Sequence, residues 1–231
     1  MADNGKSART QRAVERACRE GAKLFAEKGY SKTTTRELAA AMDVTNGTFY
    51  YYFPSKEDLL RQICEDSLAE IMTAVTKAVD GASSGADAVT KMIHAHVGTI
   101  VESRHSHTTM LTELRSLNGE HRVAIVAARD RYEAFVREIL ASAKADGSLK
   151  TSIELKPLTL LLLNLLNWTI FWYRPNMSLT GDEIADHMVT LFLNGAANAA
   201  DDRDGSVLSL VRQRAVAGVD PSVADQDVEA T

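Results

Sequence analysis

Tyr50, Tyr51, Tyr52 and Phe53 stand in a row directly before Pro54, and this stretch leaves the chain little choice. Adjacent residues point to different sides of a helix and to both faces of a strand, so four aromatics in sequence cannot all enter one core. Pro54 pushes the residue before it away from helical angles and ends the element. The stretch therefore reads as a short helix, buried on one side and wetted on the other. Its flanks are punctuated in the same way. Thr34-Thr35-Arg36-Glu37 fits a capping box, with the Thr34 hydroxyl reaching the Glu37 amide and the Glu37 carboxylate reaching back. It opens a short helix from Thr35 to about Ala41. A tight Met42-Asp43-Val44 turn follows, and the next helix begins near Thr45. Beyond the proline, Ser55-Lys56-Glu57-Asp58 is a second cap pattern. It opens a long helix through Leu59, Leu60, Ile63, Leu68, Ile71, Met72 and Val75.

Helical spacing governs the rest of the chain. Apolar residues recur every three or four positions, strand-like alternation is absent, and proline occurs only four times. A leading helix is expected from about Thr10 to Lys28, with Ala13, Ala17, Gly21, Leu24 and Phe25 inward and Gly29 ending it. Asp80 to Asp87, "DGASSGAD", is the clearest break in composition. Further helices are expected at about 87–103, 106–117, 122–145, 154–173 and 180–198. Residues 200–231 hold seven acids and three arginines among small residues, the composition of a mobile tail. The fold class is all-α. The expected organisation is a three-helix N-terminal unit (1–54), a larger helical body (55–199, with 55–79 as connecting helix) and the acidic tail (200–231).

Composition narrows the function. The N-terminus has no apolar segment of the secretory kind. The longest apolar run, Leu158 to Tyr173, covers 16 residues and is interrupted by Asn164 and Asn167, short for a membrane span and long enough for a buried helix. Cys18 and Cys64 suggest neither a disulfide framework nor a metal site, which fits a reducing cytoplasm. Residues 1–36 carry nine Lys/Arg against four acids, net +5, so the remaining 195 residues carry −10 of a total of −5. A basic end on an acidic body suits a protein that presents one face to a polyanion, or a solvated basic helix face. Enzymatic signatures are missing: there is no Gly-rich phosphate loop, no His-Glu-x-x-His and no nucleophile elbow. His94 and His96, two apart on a helix, point about 200° away from each other and cannot share an ion without distortion. His105 and His107 lie at a helix joint and could, with Glu102 or Glu113 as partners, although solvation or capping suits them better. No catalytic group, cofactor or metal is expected.

Two short capped helices joined by a tight turn behind a basic leading helix make a helix-turn-helix. At this point residues 10–60 closely resemble the N-terminal domain of the tetracycline-repressor (TetR) family of bacterial transcriptional regulators. Gly29-Tyr30, Thr34-Thr35, Glu37-Leu38-Ala39, Val44, Gly47, Phe49-Tyr50, Phe53 and Ser55-Lys56-Glu57 carry the resemblance. It implies that Thr45, Asn46, Gly47, Thr48, Tyr50, Tyr51, Tyr52 and Lys56 lie at or near DNA. Gly47 would let the helix approach the duplex, Asn46 and Thr48 can reach base edges, and Tyr51 and Tyr52 can donate hydroxyls to phosphates. Thr34, Thr35 and Arg36 open the bracing helix, where amides and dipole favour a phosphate. Phe49 and Phe53, four apart, should face the core, with Tyr50 at its edge. The family often has histidine where this chain has Tyr52.

The resemblance further implies a body that dimerises and holds an inducer. The run Leu158–Tyr173 is apolar nearly all round and must be buried on several sides. Pairing it with the helix after it in two copies would place Leu161, Leu165, Met188, Leu191, Phe192 and Gly195 at a four-helix dimer interface. Asn164, Asn167, Trp168, Phe171 and Trp172, with Met110, Glu113, Leu114 and Leu117 from another helix, can line a mainly apolar cavity with a few polar anchors. That points to a hydrophobic or amphipathic effector. The "FWYRP" ending resembles members that sense acyl-CoA esters or related lipid and aromatic catabolites. The implied function is a dimeric repressor released from a palindromic operator when its effector pivots the connecting helix. The alternative is a helical small-molecule or metal-binding protein whose N-terminal unit docks protein rather than DNA.

Overall fold

The computed structural model describes residues 3–198, with side chains for residues 10–195. The expected tail, 200–231, lies outside the described residues. Among these the chain is helical throughout, with no strand: α1 Asp3–Lys28, α2 Thr35–Ala41, α3 Asn46–Tyr52, α4 Lys56–Val79, α5 Gly85–Glu102, α6 Arg104–Thr112, a 3-10 turn Leu114–Ser116, α7 Gly119–Ala145, α8 Leu155–Asn167, α9 Thr169–Trp172 and α10 Gly181–Asn198.

The N-terminal punctuation is realised in hydrogen bonds. Glu37 donates its amide to the Thr34 hydroxyl (3.2 Å) and accepts the Thr34 amide on its carboxylate (2.8 Å), completing the capping box. Thr45 caps α3 through the Thr48 amide (3.2 Å), and Ser55 caps α4 through that of Asp58 (3.1 Å). Between α2 and α3, Asp43 takes a left-handed φ of 58°, the Val44 amide reaches Ala39 O (2.9 Å) and the Asp43 amide reaches Ala40 O (3.0 Å). This Schellman arrangement satisfies the carbonyls at the end of α2 and turns the chain within three residues. Gly29, at φ 88°, does the corresponding work after α1.

Some boundaries differ from expectation. α1 begins at Asp3 rather than near Thr10. The element expected at 106–117 is α6 followed by the 3-10 turn, because the Glu113 carboxylate is drawn away to accept the Ser116 hydroxyl (3.0 Å) and the Tyr30 amide (3.2 Å). The long element expected at 154–173 tightens at Trp168, where the Phe171 amide bonds Trp168 O at 3.1 Å. Leu155–Trp172 has the length and apolarity of a membrane-crossing helix, yet Leu158, Leu162 and Leu166 pack in the body core.

Two cores result. The body core joins α4, α5, α7, α8 and α10 around Met92, Ile93, Val97, Val136, Leu140 and Leu162. The head core gathers Phe25, Leu38, Phe49 and Phe53 with Leu59, Leu60 and Ile63 of α4, and also with Met110, Leu117 and Ile125. Three short helices bury too little apolar surface to stand alone, so the head closes its core with body residues.

Candidate nucleic-acid interface and central cavity

α3 divides its aromatics as a half-wetted helix must. Phe49 and Phe53 are buried, with ring centroids 5.9 Å apart. Tyr51 is 76% exposed, Tyr52 packs edge-on against it at 5.2 Å, and Tyr50 is half exposed with its hydroxyl 3.3 Å from that of Thr35. Thr34, Arg36, Thr45 and Gly47 are exposed, while Thr35 and Thr48 are half-buried. A Cβ on Gly47 would meet nothing in the chain nearer than 3.8 Å, so internal packing does not require glycine there. Asn46 is half-buried and its Oδ1 is buried without a partner.

Two expected backbone contacts are already engaged inside the chain. Lys56 donates its ammonium to the carbonyls of Tyr30 (2.8 Å) and Thr33 (2.9 Å) and sits 4.1 Å above the Tyr30 ring. Burial draws its pKa down, with Glu113 pulling it back. At the start of α2 the Glu37 carboxylate takes the Thr34 amide and pairs with Lys28; these bonds, Lys28 first, lower its pKa to about 2. The open amides there are thus already facing an anion of the chain itself. Beside the α2–α3 turn, Arg12 and Arg16 of α1 line a cleft with Met42, Asp43 and Val44. Sequence reading registers these two only as part of the basic end.

A cavity of about 270 Å³ lies in the body. Leu68 and Ile71 of α4, Met110 and Leu111 of α6, and Leu160 and Leu163 of α8 supply apolar wall. Val126, Arg129, Asp130 and Glu133 of α7 line it too, with Arg129 and Asp130 exposed. Polar groups come from His96, Tyr132, Asn164 and Asn167. His96 is buried between Tyr132 Oη (2.7 Å from Nδ1) and Asn167 Oδ1 (3.2 Å from Nε2). Burial, with His107 nearby, holds its pKa down to about 3, and burial raises that of the Tyr132 hydroxyl. His107, also buried, has Nδ1 2.9 Å from the Ser67 hydroxyl of α4, and burial lowers its pKa to about 4.

Of the nine residues expected around an effector, Met110, Asn164 and Asn167 line this cavity. Leu117 and Leu114 turn instead to the head core, and Glu113 bonds Tyr30. Trp168 and Phe171 stack on each other at 4.6 Å on the surface. Trp172 belongs to a separate apolar groove with Leu179, Ile184, His187, Met188 and Leu191. The reason is helical phase: residues three and four apart on α8 face inward, and the aromatics of α9 lie past the tightened turn. Spacing does not single out Tyr132 and Arg129. His96 stands out in sequence only as half of a poor chelate.

Among the residues expected at a dimer interface, Leu161 (58%) and Leu191 (63%) are exposed, as is Gly195. Leu165 is half-buried, and Met188 and Phe192 are buried in the body core. His94 lies 3.0 Å from Asp186, and His105 4.0 Å from Glu27. Among the described residues no three metal-ligating side chains gather.

A capped helix-turn-helix with a hydroxyl-bearing exposed face, resting on a helical body that encloses a cavity, defines a DNA-binding regulator with a sensing body. Residues 19–63 match the profile described as bacterial regulatory proteins, tetR family, and residues 82–196 the profile of the tetracyclin repressor-like C-terminal domain. The chain belongs to the TetR family of transcriptional regulators. The TetR regulator PfmR from Thermus thermophilus is 32% identical, with a TM-score of 0.73 over 78% of this chain and 97% of that one. The HTH-type transcriptional repressor KstR2 of Rhodococcus jostii is 27% identical over 84% of this chain and 94% of its own length. AibR, solved with isovaleryl coenzyme A and operator DNA, is 24% identical with a TM-score of 0.71 over 78% and 97% of the two chains, and shares the fold.

Proposed function

We propose that the chain is a homodimeric repressor released from a palindromic operator by a small hydrophobic or amphipathic effector, of the class of acyl-CoA esters and lipid or aromatic catabolites. The observation that carries this reading is that one helix serves both ends. α4 begins under the reading head at Ser55 and places Leu68 and Ile71 in the cavity wall. An effector that prefers one arrangement of that wall biases the position of the head, and two heads must keep a spacing of roughly 34–36 Å or a multiple to read one face of the duplex. Support for the effector class comes from the mainly apolar wall with Arg129 at its exposed edge. AibR, with its isovaleryl coenzyme A, favours the same class. The exposed Leu161 and Leu191, with Trp168 beside them, support pairing through α8 and α10.

The test selects an operator from a random duplex library and follows binding by fluorescence anisotropy with acetyl-, isovaleryl- and decanoyl-CoA, using free CoA as control. At least one ester should weaken operator binding by about tenfold, within the usual range of allosteric coupling. Unchanged affinity with every ester at saturation would reject the acyl-CoA class, and failure to select any duplex would reject the DNA reading. Leu161→Glu with Leu191→Glu should give a monomer by light scattering that has lost cooperative operator binding; an intact dimer would reject the α8–α10 interface.

A further inference from the structure

The polar end of the cavity has a fixed hydrogen-bond direction. An amide oxygen only accepts, so Asn167 Oδ1, 3.2 Å away, assigns the His96 proton to Nε2. A buried ring without a counter-charge is neutral, so Nδ1 is bare and accepts the Tyr132 hydroxyl proton at 2.7 Å. Two capacities then remain unspent at this end: a lone pair on Tyr132 Oη and the two N–H donors of Asn167. They form an acceptor and a donor side by side, both neutral. The one cationic side chain lining the cavity, Arg129, is exposed on α7, on the solvent side. Asp130 and Glu133 stand beside it, and Glu133 is already paired with Arg137 at 3.2 Å.

We propose that the inner end of this cavity is a subsite for an uncharged oxygen, a hydroxyl or a ketone, carried at the buried end of an otherwise apolar ligand and read by Tyr132 and Asn167. A hydroxyl donates to Tyr132 and accepts from Asn167; a ketone accepts from Asn167. A carboxylate in the same place loses its water, faces the Tyr132 lone pair and finds no cation. His96 is the positioning residue, since it fixes which way both neighbours point. This rests on the sensing reading of the cavity and adds the polarity of what is sensed.

The experiment titrates the full chain with 1-decanol, 2-decanone and decanoate at pH 7.5 by calorimetry. The alcohol and the ketone should bind about tenfold more tightly than decanoate. Tyr132→Phe keeps the ring and should lower decanol affinity about fivefold with decanoate unmoved. Asn167→Leu should lower both neutral probes by about the same factor. A triad that only holds the fold would shift all three probes together, which overturns the proposal. Decanoate within about threefold of decanol on the unaltered chain, or no binding of any probe, overturns it as well, whether or not the variants fold. None of the probes needs to release the operator, so failure of the repressor reading shows in the anisotropy titration and not in these ratios.

Discussion

Replacing Lys56 tests whether this residue is chiefly a clamp within the head or chiefly a hand on the duplex. Its ammonium bridges the carbonyls of Tyr30 and Thr33 and lies over the Tyr30 ring, bracing the chain between Gly29 and the Thr34 cap. Hydrogen bonds from a charged group are worth roughly 1.5–3 kcal/mol each, and a cation over an aromatic ring about 0.5–1 kcal/mol at an exposed site. The side chain is only half-buried and burial already depresses its pKa, so desolvation offsets much of that sum. A net loss of about 2 kcal/mol for Lys56→Met follows, near the lower bound for a single charged bond. In a chain of this size that lowers the melting midpoint by about 4–8 °C. Lys56→Arg keeps the charge, but a planar guanidinium cannot converge on two carbonyls as the ammonium does, so it should recover less than half of the loss. Thermal unfolding followed by circular dichroism, with hydrogen exchange at the Tyr30–Thr34 amides, reads both variants. A midpoint within about 1 °C of the parent for Lys56→Met, with operator affinity still reduced, would refute the clamp.

The buried histidines make stability depend on pH. His96 and His107 hold pKa values of about 3 and about 4 when folded against about 6.5 unfolded, so the unfolded chain binds more protons between these limits. Stability is fully present above about pH 6.5 and falls as pH drops, by up to ~1.4 kcal/mol per pH unit for each ring; urea unfolding from pH 7 to 5 should show it, and His107→Gln should remove about half of the slope. Gly85→Ala places a Cβ 2.8 Å from the backbone N of Ala143 and nearer still to its Cα, where α5 crosses α7. It should cost about 3 kcal/mol in denaturant unfolding, since backbone cannot rotate out of the way as a side chain can. Tyr51→Phe, at the most exposed ring of α3, should weaken operator binding about fivefold with no change in unfolding midpoint.

How much of this the sequence shows depends on how far apart the partners are. In the head every determinant is local: Thr34 with Glu37, Thr45 with Thr48 and Ser55 with Asp58 are each three residues apart. A one-dimensional reading therefore recovers α2, α3 and the start of α4. The sorting of the aromatics follows from their spacing alone. What it does not reveal is occupancy. Lys56 and Glu37 look free for phosphate until the loop from Gly29 to Thr33 folds back over them, 23 and 26 residues from Lys56. The cavity is harder still, because His96 meets Tyr132 across 36 residues and Asn167 across 71. Asn164 and Asn167 are legible because a polar side chain in an apolar run needs a partner once buried. The partner itself is not, since a lone tyrosine on an amphipathic helix carries no mark of what it faces.

The same long-range contacts explain why the head cannot be treated as a module hung on α4. The segment joining α6 to α7 grips it directly: Glu113 accepts the Tyr30 amide, and Glu57 at the start of α4 accepts the Asn118 amide at 2.8 Å and faces His121 at 3.3 Å. Deeper in, Thr109 donates its hydroxyl to Ala22 O of α1 at 3.0 Å. Met110 and Leu111 in the cavity wall belong to that same stretch of α6. A ligand that displaces the wall therefore moves the head through two mechanical connections, α4 from one side and the α6–α7 joint from the other. Close-packed elements switch between discrete arrangements rather than flex continuously. Two connections that must move together restrict the head to fewer arrangements than a single pivot allows, which turns occupancy of a small cavity into a change of head spacing.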